Sequence, residues 1–116
     1  MNMEYTQTDL PAAVLEIITE NYMNPNLNVT MAASLLNKNL DYVSKTFKKS
    51  TGYTILEYIQ NYRMDKAKDY MEKQPELSVR EISRLVGYEH CESFIRLFKR
   101  KQGMTPGRYK TMLMNN

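Results

Sequence analysis

The sequence predicts an all-α chain of about seven helices, built as two helix-turn-helix lobes joined by a long central helix. Three observations carry that reading. Apolar residues recur at spacings of three and four along most of the chain. Glycine is scarce, with four in 116 residues, so few positions break the pattern. Residues 42–55 (YVSKTFKKSTGYTI) and 93–106 (SFIRLFKRKQGMTP) repeat one element at an offset of 51, matching Phe47 with Phe98, Lys48 with Lys99, Gly52 with Gly103 and Thr54 with Thr105.

The first helix is expected from Thr8 or Asp9 to about Met23, with Pro11 tolerated in its first turn and Leu15, Ile18 and Tyr22 on its inner face. Asn-Pro-Asn then breaks it, because Pro25 disfavours helix at Asn24. Asn28 caps a short second helix over residues 29–36 that points Ala33 and Leu36 inward. Asn39 caps a third, over residues 40–50, closed by Gly52. Thr54 opens a fourth that runs through Glu72, about 19 residues and so roughly 28 Å. Ser78 and Glu81 form a capping box for a fifth helix that stops before Gly87. The sixth spans residues 91–101 and is closed by Gly103, and the seventh starts at Thr105 and Pro106. The domain plan that follows is an N-terminal extension (1–8), a first lobe (9–53), a linker helix (54–73) and a second lobe (74–116). Two copies are too few for a solenoid.

Composition narrows the function classes. The single Cys91 excludes an intramolecular disulfide and fits a reducing compartment. One Cys and one His cannot make a zinc site, and no nucleophile, base and orienting group can be assembled for an enzyme. No cofactor motif is present, and no targeting segment or membrane span is visible, so the chain reads as cytoplasmic. Residues 1–37 carry Glu4, Asp9, Glu16 and Glu20 with no Lys or Arg, a balance of −4, while residues 38–116 hold all 16 basic side chains and a balance of +7. Such asymmetry suits one part facing a polyanion, although an ordinary solvated helix surface also accounts for it.

Projected at 100° per residue, the two basic helices separate into faces. The third turns Val43, Thr46 and Phe47 inward and Asp41, Ser44, Lys45 and Lys48 outward. The sixth turns Phe94, Leu97 and Phe98 inward and Cys91, Glu92, Ile95, Arg96 and Lys99 outward. A DNA major groove admits an α-helix, and Arg96 and Lys45 can donate to a guanine edge there. Ile95 suits a thymine methyl, or is one of the single exposed apolar residues that any surface carries. Asp41 and Glu92 either accept from cytosine or serve the helix dipole. Lys48, Lys49, Lys99 and Arg100, with the capped helix starts at Asn39 and His90, suit phosphates. Cys91 is open to a redox role, but has no resolving partner. Tyr58, Tyr62 and Tyr70 are expected to pack, and Arg63 to tie the lobes together or reach a phosphate.

These residues carry a resemblance to the DNA-binding domain of the AraC/XylS family of bacterial transcription regulators, over about residues 10–112. "VREISRLVGYEHCESFIRLFKRKQGMTPGRYK" follows the family's second motif, G-[FY], F-x-R-x-F-K and G-x-[TS]-P-x-x-[YF]. "YVSKTFKKSTGYTILEYIQNYRMDKA" follows the first, Y-[LV]-x-[RK]-x-F-K, a glycine and R-x-x-x-A. Ser83 departs from the usual Ala, and Ile55 stands where Pro or another apolar residue is common.

The resemblance implies recognition helices in successive major grooves of an asymmetric double-stranded operator site, with the base-reading set including Cys91 and Glu92. It also implies RNA polymerase as a further partner, a monomeric domain, and dimerisation through a domain outside this chain. The end just after Tyr109 resembles a natural C-terminus, and the chain reads either as a small complete regulator or as the DNA-binding end of a larger one. A helical protein-interaction module, using the acidic start and the basic remainder, is the competing class.

Overall fold

A computed structural model describes residues 9–115. Residues 1–8, which include the expected N-terminal extension and the alternative helix start at Thr8, lie outside the described residues, as does Asn116. Among the described residues there are seven helices and no strand: α1 (Leu10–Asn21), α2 (Val29–Leu36), α3 (Leu40–Thr51), α4 (Ile55–Lys73), α5 (Val79–Leu85), α6 (Cys91–Gln102) and α7 (Pro106–Met114). They divide between two compact units, one ending at Tyr62 and the other beginning at Arg63, so the boundary falls inside α4.

In the first unit α3 packs on α1 and α2. Its core is built from Val14, Ile17 and Ile18 of α1, Leu36 of α2, Val43 and Phe47 of α3, and Ile55 and Ile59 of α4. The inner face of α1 is therefore rotated from the expected one. Ile18 is buried, but Leu15 is only half-buried against the core and Tyr22 lies at its edge, where its ring meets that of Tyr62 at 5.3 Å. Tyr58 packs as expected, edge-on to Phe47 at 5.8 Å. Edge-to-face geometry suits the aromatic quadrupoles.

In the second unit α6 packs on α5 and α7. Phe94 and Phe98 are fully buried and in contact, and Tyr88 and Tyr109 extend this aromatic row at either end. Met64, Ala67 and Met71 line the part of α4 that belongs here. Ser83, in a position the resemblance gives to Ala, is fully buried without an orphaned hydroxyl, because its Oγ donates to the carbonyl of Arg80 at 2.8 Å. Lys110 reaches back from α7 to donate to the carbonyl of Leu77.

The helix ends follow local chemistry. Asn28, Asn39, Ser78 and Thr105 each accept from the backbone amide of the third residue of their helix. The Ser78 and Glu81 box is reciprocal, at 2.8 and 3.0 Å. The Ser78 amide, and then its hydroxyl, hold the Glu81 carboxyl below the usual carboxylate range. A second box, which the T-x-x-E spacing also signals, joins Thr54 and Glu57 at 2.9 and 3.0 Å. At the other ends Gly52 and Gly103 take left-handed φ values of 83° and 84° and return their amides to Lys48 and Lys99.

Candidate nucleic-acid interface

In each unit the second helix of a helix-turn-helix presents a basic face, and the same local devices set both. The core row fixes its inner face: Val43 and Phe47 in α3, Phe94, Leu97 and Phe98 in α6. What remains faces outward. Lys45, Lys48 and Lys49 of α3 and Arg96, Lys99 and Arg100 of α6 are exposed. Basic residues in the last turns of both helices also face the negative end of the helix dipole, so part of this charge serves folding.

Solvation of these cations differs by position. Lys45 Nζ lies 3.1 Å from Asp41 Oδ2, one turn back, with the two side chains 79% and 72% exposed. Lys48, Lys49, Arg96, Lys99 and Arg100 have no ion-pair partner among the described residues. Five cations on two helix faces are thus free to meet an anion without first breaking an internal pair. Arg96 and Arg100 also line an open surface depression with Ser93 and Leu97.

The remaining candidates fall into three settings. Asp41 and Glu92 are exposed in the first turns of α3 and α6. Ser44, Cys91 and Ile95 are half-buried, at the border between the core stripe and the outward face, so each offers one side to solvent. Asn39 and His90 occupy matching cap positions but are not alike. Asn39 Oδ1 is engaged by the amide of Tyr42 at 3.1 Å, whereas the His90 side chain makes no cap hydrogen bond and is exposed.

Arg63 belongs to α4 and to neither basic helix. It is buried at 6% exposure and its guanidinium sits 5.0 Å from the Tyr88 ring centroid, inside the second unit. A structural role therefore stands over phosphate contact. Tyr42, not among the expected site residues, is 52% exposed in the first turn of α3, beside Asp41. The repeat held the signal, since the offset of 51 places the smaller Ser93 opposite it.

No group of three or more potential metal-ligating side chains exists among the described residues, and no described helix is long and apolar enough to cross a membrane.

Comparison with known proteins adds the family. Residues 32–112 match the family described as a helix-turn-helix domain, identified as the AraC type. The Msm operon regulatory protein of Streptococcus mutans serotype c is 37% identical over 103 residues, covering 89% of this chain and 36% of that protein. The C-terminal domain of the two-component response regulator yesN from Fusobacterium nucleatum superposes with a TM-score of 0.82 at 31% identity, covering 85% of this chain and 95% of that domain. The DNA-binding domain of the global transcriptional factor AdpA, solved with a target DNA, shares the fold at a TM-score of 0.82 and 21% identity, over 90% of this chain and 92% of that one. The chain thus spans about a third of the Msm relative's length and nearly all of the Fusobacterium domain.

Proposed function

The chain belongs to the AraC-type helix-turn-helix family, and from that premise we propose that it binds double-stranded DNA sequence-specifically and regulates bacterial transcription. The observation that carries this reading is the repeated outward face of unpaired cations on α3 and α6, each helix held by a buried phenylalanine stripe and closed by a left-handed glycine. Such a face neutralises phosphates, releases counterions and brings a helix into the major groove.

In this reading α3 and α6 enter successive major grooves. Asp41, Ser44 and Lys45, and Cys91, Glu92, Ile95 and Arg96, face base edges. Lys48, Lys49, Lys99 and Arg100 meet phosphates, with the helix starts at Asn39 and His90. Residues 9–53 and 74–116 act as the two reading lobes and residues 54–73 as their connector. Because the outward residues of the two copies differ, the operator site is asymmetric.

The working compartment is the bacterial cytoplasm, the domain acts as a monomer, and RNA polymerase is the further partner that regulation requires. Support for a regulatory role comes from the Msm relative, itself an operon regulatory protein. Selection of bound sequences from a random duplex pool tests the proposal. An enriched motif that survives competitor DNA, with affinity falling steeply in salt, is the expected result. Failure to bind any duplex at low salt would leave the basic faces to a protein partner and sink the reading.

A further inference from the structure

Both basic helices carry an acid and a base one turn apart in the same register: Asp41 with Lys45, and Glu92 with Arg96. The offset of 51 that relates the lobes therefore preserves a pair and not merely a positive charge. In α3 the pair is closed at 3.1 Å, and in α6 no ion pair joins Glu92 to Arg96.

Folding gives little reason for Asp41, whereas Glu92 also serves the dipole of α6, whose His90 cap makes no side-chain hydrogen bond. A pair this exposed contributes weakly to a helix. The first turn of α3 is already capped by Asn39, and α2 and α7 form with side-chain caps and no acid in their first turns. For a surface that meets a polyanion, an outward carboxylate is a cost to affinity for every duplex. A feature that weakens binding in general, placed beside the one cation best set to read a base, points to discrimination.

We propose that Asp41 and Glu92 are specificity-determining residues that act as electrostatic filters on Lys45 and Arg96; this rests on the DNA-binding reading above. Away from a cognate site the carboxylate competes with phosphates for its cation and repels the duplex. At a cognate site a cytosine N4 amino group donates to the carboxylate while the cation turns to guanine O6 and N7. Guanine and thymine present acceptors at that edge, so the carboxylate rejects them.

The test is selection from a random duplex pool, with parallel binding to a scrambled duplex, for the unaltered chain, Asp41→Ala, Glu92→Ala and the control Glu16→Ala. Glu16 is exposed on α1, outside both basic faces, and its removal changes net charge equally. Asp41→Ala and Glu92→Ala are expected to bind the scrambled duplex more tightly, Asp41→Ala with a log affinity against log salt slope steeper by about one as Lys45 is released, and each to lose a cytosine preference at one position. Asp41→Asn and Glu92→Gln, which keep side-chain shape, are expected to move that preference toward adenine. Base preferences identical to the unaltered chain in all four variants, or an equal gain in scrambled-duplex affinity by Glu16→Ala, would overturn the filter. An unaltered chain that enriches no sequence overturns the DNA-binding reading and the filter together, whereas normal enrichment with unresponsive variants overturns the filter alone.

Discussion

The guanidinium of Arg63 lies 5.0 Å from the centre of the Tyr88 ring, and Arg63 itself is only 6% exposed. A cation over an aromatic face is attracted by the ring quadrupole, and more strongly where water is excluded. The contact fastens α4 to the loop between α5 and α6 within the second unit. Arg63→Ala is therefore expected to lower stability by about 2–3 kcal/mol, through lost packing and lost cation–π attraction, as read from the urea midpoint. The salt slope of DNA binding should stay unchanged. A slope reduced by about one with intact stability would identify Arg63 as a phosphate ligand instead.

Tyr88 supplies a pH dependence. Its hydroxyl is buried, and burial pushes the phenol above its ordinary value of 10.0, while the neighbouring Arg63 guanidinium, by hydrogen bonding and by its charge, partly opposes the shift. A raised native pKa means that stability is fully present below the unfolded value and lost as pH rises toward and through the folded value. Tyr88→Phe keeps the ring under Arg63 and removes the titrating group. The variant is expected to stay within about 1 kcal/mol of wild-type stability at neutral pH and to show a shallower loss above pH 10.0. Thermal midpoints of both proteins across alkaline pH measure this.

Gly52 and Gly103 give a matched pair of backbone tests. An added Cβ meets nothing within 4 Å at either position, so substitution has no steric clash with neighbours to relieve. Only the left-handed backbone is penalised. Gly52→Ala and Gly103→Ala are each expected to cost about 1 kcal/mol, nearly equally, in denaturant titrations. A much larger loss at one site would show a cost there beyond the left-handed backbone.

Most helix boundaries were legible because their signals are local. Asn39, Thr54, Ser78, Thr105 with Pro106, and the two closing glycines act within three or four residues of themselves. The inner face of α1 was not legible to the same degree. Leu15, Ile18 and Tyr22 have helical spacing, but so do Val14, Ile17 and Ile18, and only packing against α3 selects the second set. The contact between Arg63 and Tyr88 joins residues 25 apart in sequence and has no local signature. For the interface, spacing showed which side chains point outward, while the closed pair at Lys45 and the open one at Arg96 depend on rotamers that spacing does not determine.

Asn39 and His90 cap corresponding helices by unequal means, and the difference is measurable. Asn39 Oδ1 satisfies the Tyr42 amide, so Asn39→Ala is expected to cost about 1 kcal/mol. His90 makes no such bond, so His90→Ala should be nearly neutral for folding. His90→Asn, which installs a capping oxygen, is expected to stabilise by about 0.5–1 kcal/mol. Equal losses for the two alanine variants in thermal unfolding would show that His90 contributes to its helix by some other contact.

Arg96 and Lys99 separate base reading from charge. Both are exposed on α6 without an ion-pair partner, three residues apart on the outward face. Arg96 has the planar fork that donates twice to a guanine edge, whereas Lys99 lies toward the C-terminal end of the helix, where a point charge suits a phosphate. Arg96→Ala is expected to cost about 1–3 kcal/mol on the selected sequence, much less on a scrambled duplex, and to relax preference at one position. Lys99→Ala should weaken both duplexes by a similar factor and reduce the salt slope by about one. Neither substitution should move the unfolding midpoint by more than about 0.5 kcal/mol, since each side chain is at the surface. Titrations of both variants on both duplexes at several salt concentrations decide it. An Arg96→Ala loss that is equal on selected and scrambled DNA would move base reading off this residue and reset the register of α6 in the groove.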